Sequence, residues 1–191
     1  LVLRPLVDPV VEAKLFVFTR KGRSLAPPAA HFVKYLHQAL AGRGDVAIGV
    51  TLIILSNFFF GTGENLIAAF LPSVQKSDQK KIAVISSKAG SFAEGPKMSM
   101  MYEYRASKAA LNMIVHTLGF ETAKKGVTIA AISPGSVDTK PVEGELGFGS
   151  SFKQPGAIPP QESVAGIIRV IDGLTPAQNG QFLDYKDGRV I

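Results

Sequence analysis

Two short runs of apolar, strand-forming residues constrain the fold of this chain of 191 residues more than any other feature. Residues 82–85 (Ile-Ala-Val-Ile) lead into Ser86-Ser87, and a second run within residues 126–139 leads into Ser-Pro-Gly. A helical segment at 102–125 separates the two runs. Strands that alternate with helices pair in parallel, because the intervening helix carries the chain back to the start of the next strand. The sequence therefore predicts an α/β fold with a parallel sheet.

Tyr104 and Lys108 lie in the helical segment that joins these two runs. Side chains four residues apart share one face of a helix, one turn from each other. A fixed positive charge beside a phenol favours the phenolate form, so such a tyrosine can exchange a proton with an alcohol or carbonyl oxygen. The pair alone also arises often by chance on surface helices. The polar residues that follow both predicted strands favour a functional interpretation, because ligands bind at that edge of a parallel sheet.

These segments together resemble the short-chain dehydrogenase/reductase family. The resemblance rests on the strand that ends in Ser86-Ser87, on YRASKAALN at 104–112 and on SPGSVDT at 133–139; residues 160–185 are similar to the family's final helix and strand. It implies a Rossmann-like, doubly wound parallel sheet with helices on both faces. A single domain would span residues 1–191, with a degenerate cofactor-binding half at 1–75 and a catalytic half at 80–191.

The resemblance implies a role for each residue of the catalytic half. Tyr104 would be the general acid/base, and Lys108 would assist it and hold the ribose hydroxyls of the nicotinamide. Ser87 would hydrogen-bond to the substrate oxygen, with Ser86 as the competing choice. The expected reaction is hydride transfer between NADP(H), or NAD(H), and a small-molecule carbonyl compound or secondary alcohol.

The resemblance also implies residues that contact the cofactor. Pro134, Gly135, Val137 and Thr139 would face the nicotinamide carboxamide, although a Pro-Gly pair equally suggests an ordinary turn. Arg20 follows a predicted strand at 13–19, where the family places the adenosine ribose. A positive charge there, with no acidic residue, favours NADP over NAD; a solvated basic turn is the alternative.

The first third of the chain departs from the family pattern. Residues 1–11 are predicted as the end of a helix, and no glycine-rich, phosphate-binding turn is present. We therefore expect the family's first strand and glycine turn to be missing. Asn57 is an uncertain match for the family's structural asparagine. Two alternatives to an oxidoreductase stay open: a non-catalytic remnant or partner subunit, and an enzyme of the same fold that carries out no redox chemistry.

Between Ser87 and Tyr104 the chain carries an expected insertion at residues 92–101, which would loop over the site. Its methionines, Met98, Met100 and Met101, could line a hydrophobic substrate pocket, but a role as packing filler is favoured. Elsewhere we expect a helix at 64–70 that Leu71-Pro72 closes, a loop at 144–160, a last helix at 161–172 and a last strand at 181–185.

Composition excludes several other classes of function. The net charge is +6, but the basic residues are scattered, so nucleic-acid binding is not expected. There is no cysteine, so disulfides and thiolate metal sites are excluded. His31, His37 and His116 lack the spacing of metal ligands, so a metal site is not expected. Residues 46–63 carry no charge, but their polar residues argue against a membrane span.

With no secretory signal after Leu1, we expect a cytoplasmic protein. Pairing of copies through the long helices is a hypothesis.

Overall fold

The computed structural model of the chain describes residues 2–5, 16–19, 70–97, 99–138 and 156–191. In chain order the elements are β1 (Val2–Pro5), β2 (Phe16–Thr19), α1 (helical residues 70–75), β3 (Lys81–Ile85), a 3₁₀ turn (Lys88–Gly90), α2 (Tyr102–Ala123), β4 (Thr128–Ser133), α3 (Pro160–Gly173), a second 3₁₀ turn (Pro176–Gln178) and β5 (Phe182–Asp184).

A three-stranded parallel sheet with the order β3-β4-β5 forms the centre of the described structure. Ile82 of β3 pairs with Ile129 of β4, and Ser133 of β4 pairs with Asp184 of β5. All six residues of β4 are buried, as expected for a central strand covered on both faces. The predicted parallel sheet is confirmed, and the carboxyl ends of all three strands meet at one edge.

Helices cover both faces of this sheet and divide the core in two. One cluster joins α3 to the sheet through Ala83, Ile85, Ala130, Ile132, Val164, Ile167, Val170, Ile171 and Leu183. The other joins α1 and α2 to the opposite face through Leu71, Val74, Ile82, Val84, Leu111, Val115, Ile129 and Ala131. Because successive strand residues point to opposite faces, the uninterrupted apolar runs supply both layers. The predicted helices on both faces are confirmed.

Helix α2 is fixed against β4 and the C-terminal segment by a close backbone approach. A Cβ atom at Gly119 would lie 2.8 Å from the Cα of Gly180, so only glycine fits there. Asn179 strengthens the contact: its Nδ2 donates to the Gly119 carbonyl (2.7 Å) and its Oδ1 accepts from the Ile129 N–H (2.8 Å). One partly buried side-chain amide thus joins the end of α2 to the start of β4.

The predicted helix at residues 1–11 is wrong for its first residues. Val2–Pro5 form β1, which pairs antiparallel with β2, and Leu3 lies opposite Phe18 in the register. Short runs of β-branched and apolar residues carry no helical periodicity, and Pro5 lacks the N–H that a helix interior uses. The predicted strand at 13–19 is confirmed at Phe16–Thr19.

The prediction that Leu71-Pro72 closes a helix is also wrong, because residues 70–75 are helical. Leu71 and Val74 are buried against the sheet, and this burial stabilises the helix beyond the proline. The last helix and strand lie within two residues of their predicted bounds.

Among the described residues, no helix is long and apolar enough to cross a membrane. The uncharged stretch at 46–63 lies outside the described residues.

Candidate active site

Tyr104 and Lys108 share one face of α2, as the spacing predicted. The Lys108 ammonium nitrogen lies 5.8 Å from the centre of the Tyr104 ring. Lys108 is only 6% exposed, whereas Tyr104 is 38% exposed. The helix therefore presents a solvent-accessible phenol with a buried positive charge one turn behind it.

Burial lowers the pKa of Lys108 from 10.5 to about 8, since an ammonium is less stable away from water. At neutral pH the side chain is still mostly charged. Its proton is held far less tightly than that of a surface lysine, so the charge beside Tyr104 disappears as the pH rises through about 8.

The two serines after β3 have different surroundings. Ser86 is buried, and its Oγ donates to Oδ1 of Asn112 on α2 (2.5 Å). Ser87 is partly exposed, and its Oγ accepts the N–H of Ala89 (3.2 Å). An accepted bond leaves the hydroxyl proton of Ser87 available to a substrate oxygen. The choice of Ser87 over Ser86 thus has a structural basis, although its role stays a prediction.

The segment that carries both serines, residues 86–91, is called the serine loop below. Gly90 lets it lie directly against α2, because a Cβ there would be 2.6 Å from the carbonyl carbon of Lys108. One turn further on, Nδ2 of Asn112 lies 3.5 Å from the Gly90 carbonyl. The serine loop therefore packs on the stretch of α2 that begins at Lys108.

The Pro134-Gly135 turn follows β4 at the same edge of the sheet. Gly135 has a φ of +79°, and a Cβ at this position would lie 2.7 Å from Cε1 of Tyr185. The Pro134 carbonyl accepts a 2.6 Å hydrogen bond from Oγ of Ser163, a buried residue near the start of α3. Both the glycine and the serine fix the path of the backbone at this turn.

Val137 continues from this turn and forms an isolated parallel bridge with Ile158. The Ile158 N–H donates to the Ser136 carbonyl and the Ile158 carbonyl accepts from Asp138, each at 2.8 Å. Val137 is therefore held beside the segment that leads into α3. Thr139, Arg20 and Asn57, three other predicted site or family positions, lie outside the described residues.

Two of the three methionines before α2 contradict the prediction that they are packing filler. Met100 is 51% exposed and Met101 39% exposed, because both precede the first turn of α2 and neither reaches the core. Met101 has a φ of +59°, which is uncommon for a residue with a side chain. Met98 lies outside the described residues.

Three residues that the sequence did not single out join the serine loop to its surroundings: Asn112, Lys88 and Asp184. Asn112 lies four residues after Lys108, so helical spacing could have placed it on the same face. Lys88 Nζ lies 2.5 Å from Oδ2 of Asp184, a residue of β5. Nothing local in the sequence signals that contact.

The sequence matches a model of the short chain dehydrogenase family over residues 59–145. C-signal from Myxococcus xanthus is 33% identical over 123 residues, which are 64% of this chain and 68% of that protein. The 1-hydroxy-2-glutathionyl-2-methyl-3-butene dehydrogenase of Rhodococcus sp. (strain AD45) is 34% identical over 114 residues, 58% of this chain and 46% of that protein. The chain spans about half the length of several curated relatives.

Solved structures share the fold. The NADPH-bound carbonyl reductase from chicken fatty liver superposes with a TM-score of 0.58 at 25% identity, over 86% of this chain and 73% of that one. Carbonyl reductase Sniffer of D. melanogaster gives the same TM-score of 0.58 at 22% identity, over 85% of this chain and 73% of that one.

Proposed function

This chain belongs to the short-chain dehydrogenase family, and from that premise we propose that it transfers hydride between NADP(H) and a small-molecule carbonyl compound or secondary alcohol. A shared fold does not by itself name a reaction. The observation that carries the proposal is the buried ammonium of Lys108, 5.8 Å from the ring of the exposed Tyr104. Burying a lysine is unfavourable, and such perturbed groups cluster at functional sites.

The described residues fit the nicotinamide end of such a cofactor. The Pro134-Gly135 turn would offer backbone groups at the edge of the sheet where the strands end, and Tyr185 and Ser163 hold it in place. Lys108 would hold the ribose hydroxyls, and Val137 would lie beside the carboxamide. The adenosine end is assigned to Arg20, outside the described residues.

When bound, NADP(H) supplies the hydride. The hydroxyl of Tyr104 donates a proton to the carbonyl oxygen during reduction and accepts it back during oxidation. The Lys108 ammonium stabilises the phenolate that remains after reduction. The Ser87 hydroxyl, whose oxygen already accepts the Ala89 N–H, donates its proton to the same substrate oxygen and stabilises developing negative charge there.

Two observations support NADP as the preferred cofactor. The similar carbonyl reductase from chicken fatty liver is described as NADPH-bound. In this chain Arg20 directly follows the strand Phe16–Thr19, where the family resemblance implies that a cation would recognise a 2′-phosphate.

Steady-state turnover tests the proposed reaction. The chain is assayed with NADPH and a panel of aldehydes and ketones, then compared with Tyr104→Phe and with the matched control Tyr102→Phe. Tyr102 is 69% exposed in the first turn of the same helix and has no assigned role. We expect Tyr104→Phe to lower kcat by at least about 100-fold while the KM for NADPH changes little, and Tyr102→Phe to leave both unchanged.

Either of two results would contradict this proposal. Full turnover by Tyr104→Phe would exclude the acid/base assignment. A wild-type chain with no turnover across the panel would instead favour the non-catalytic or non-redox alternatives.

A further inference from the structure

Lys88, the residue directly after Ser87, reaches across the sheet edge to the end of β5. Its ammonium lies 2.5 Å from Oδ2 of Asp184, whose side chain is only 4% exposed. The other carboxylate oxygen, Oδ1, accepts the N–H of Lys186 (2.9 Å). Both oxygens of this buried carboxylate thus have a donor, while the Lys88 side chain itself is 37% exposed.

Asp184 is ionised throughout the neutral range. Burial works against its ionisation, but the bond from Lys88 and the bond from the Lys186 N–H outweigh this effect and lower the pKa of Asp184 below its usual 3.8. The carboxylate that Lys88 contacts is therefore charged at neutral pH.

The backbone of Lys88 is anchored as well. Its N–H donates to Oγ of Ser133, a buried residue at the end of β4 (3.2 Å). On the other side of Ser87, Ser86 is bonded through its side chain to Asn112 of α2. Ser87 therefore lies between two residues that are each tied to a different element of the core.

The hydroxyl of Ser87 is itself oriented within this loop. The hydroxyl oxygen of Ser87 accepts a hydrogen bond from the Ala89 N–H (3.2 Å). The backbone carbonyl of Ser87 accepts one from the Gly90 N–H (2.9 Å). Gly90 rests on the Lys108 backbone of α2. A shift of Lys88 would move the 3₁₀ turn that it begins and would change the direction of the Ser87 hydroxyl relative to α2.

We propose that Lys88 is a positioning residue which, through its ion pair with Asp184, holds the Ser87 hydroxyl against the face of α2 that carries Tyr104 and Lys108. The proposal rests on the proposed function, since it assigns a task to Ser87 in that reaction. Lys88 acts through Ser87 and touches neither substrate nor cofactor.

A second ion pair, between Glu94 and Arg189, is more exposed to solvent and contributes less to holding the serine loop. Nη2 of Arg189 donates to Oε2 of Glu94 at 2.8 Å. The same carboxylate oxygen lies 3.6 Å from Nζ of Lys88. Pairs that are open to solvent contribute little, because water and salt screen them. The dominant anchor is thus the buried carboxylate of Asp184.

Steady-state kinetics of Lys88→Met, Lys88→Arg and the matched control Lys186→Met test the proposal. Lys186 is exposed and contacts Asp184 only through its backbone N–H. We expect Lys88→Met to lower kcat by about tenfold with the KM for NADPH unchanged. Lys88→Arg, which keeps the charge, should recover most of the loss, and Lys186→Met should behave as wild type.

Because Asp184 is buried, Asp184→Asn alone could prevent folding. The paired variant Lys88→Met/Asp184→Leu replaces the ion pair with apolar groups and removes the risk of an unpaired buried charge. We expect this variant to unfold at a urea concentration close to that of wild type and to show the same lowered kcat as Lys88→Met.

Hydrogen exchange of the Ala89 and Gly90 amides supplies a readout that does not depend on turnover. Both amides bond to Ser87, and we expect faster exchange in Lys88→Met than in Lys186→Met. An active wild type with unchanged kcat in Lys88→Met overturns the positioning role, whatever the exchange rates are. An inactive wild type overturns the proposed function instead, so the two failures are distinct.

Discussion

The ammonium of Lys108 lies 5.8 Å from the centre of the Tyr104 ring, yet Lys108 is buried and Tyr104 is not. Helical spacing brings the two side chains together, and the serine loop packs on α2 with Gly90 against the backbone and Cβ of Lys108. The site therefore combines a local relationship within one helix with a contact between distant parts of the chain.

Replacing Lys108 with methionine should separate stability from activity. Methionine retains much of the apolar length of lysine but removes a charge that is unfavourable to bury. We expect Lys108→Met to lower kcat by at least about 100-fold, while its free energy of unfolding in urea at pH 7 equals or exceeds that of wild type. Lys124→Met, at an exposed position, is the control; a clear loss of stability in Lys108→Met alone would contradict the account.

The lowered pKa of Lys108 also predicts a pH dependence of stability. Well below pH 8 both the folded and the unfolded chain carry the proton, so this site's contribution to stability does not change with pH there. Between about pH 8 and 10.5 the unfolded chain binds more protons at this site, so the site's contribution to stability rises with pH. The gain is at most about 3 kcal/mol. Urea unfolding at pH 7 and pH 9.5 should show part of this gain in wild type relative to Lys108→Met; an equal change in stability in both proteins would contradict it.

Gly135 should be far less tolerant of alanine than Gly156. Their φ values are similar, +79° and +82°, so alanine has a similar backbone cost at both. A Cβ at Gly135 would meet Tyr185 at 2.7 Å, whereas none of the described residues lies within 4 Å of one at Gly156. We expect Gly135→Ala to lower the free energy of unfolding by roughly 1–3 kcal/mol more than Gly156→Ala.

A double-mutant cycle with Tyr185→Leu identifies the cause of that difference. If the ring causes the clash, the effects of Gly135→Ala and Tyr185→Leu on unfolding are less than additive. Strict additivity would mean that Tyr185 does not constrain the Pro134-Gly135 turn.

Lys81 caps the C-terminus of α3 from a neighbouring strand. Its Nζ donates to the carbonyls of Ile171 (3.0 Å) and Asp172 (2.8 Å). A cation there satisfies terminal carbonyls and interacts favourably with the helix dipole. We expect Lys81→Met to lower the free energy of unfolding by about 1 kcal/mol, and less at high salt. Lys76→Met, on an exposed side chain, should have little effect; equal losses would argue against the cap.

The local sequence pattern was sufficient to predict much of the described fold. The apolar runs at β3 and β4 are buried on both faces, and such runs identify central strands without reference to the rest of the chain. The helical repeat of the sequence is local as well, and it predicted helix α2 and the face that Tyr104 and Lys108 share. The family motifs then predicted that Ser87 belongs to the same site.

Contacts between distant segments could not be predicted in this way. Lys88 and Asp184 pair although 96 positions separate them in the sequence, and each alone resembles an ordinary surface charge. β1 was predicted as helix because four residues are too few to show a period. The methionines before α2 were assigned to packing because composition does not reveal which apolar residues remain exposed.

The most direct test of the central claim is a fluorescence titration of the chain with NADPH and then NADH, repeated with Tyr104→Phe. We expect saturable binding to both nucleotides, tighter for NADPH, with an NADPH affinity that Tyr104→Phe leaves nearly unchanged. Absence of saturable binding to either nucleotide would contradict it, and the Tyr104–Lys108 pair would then have no cofactor to act with.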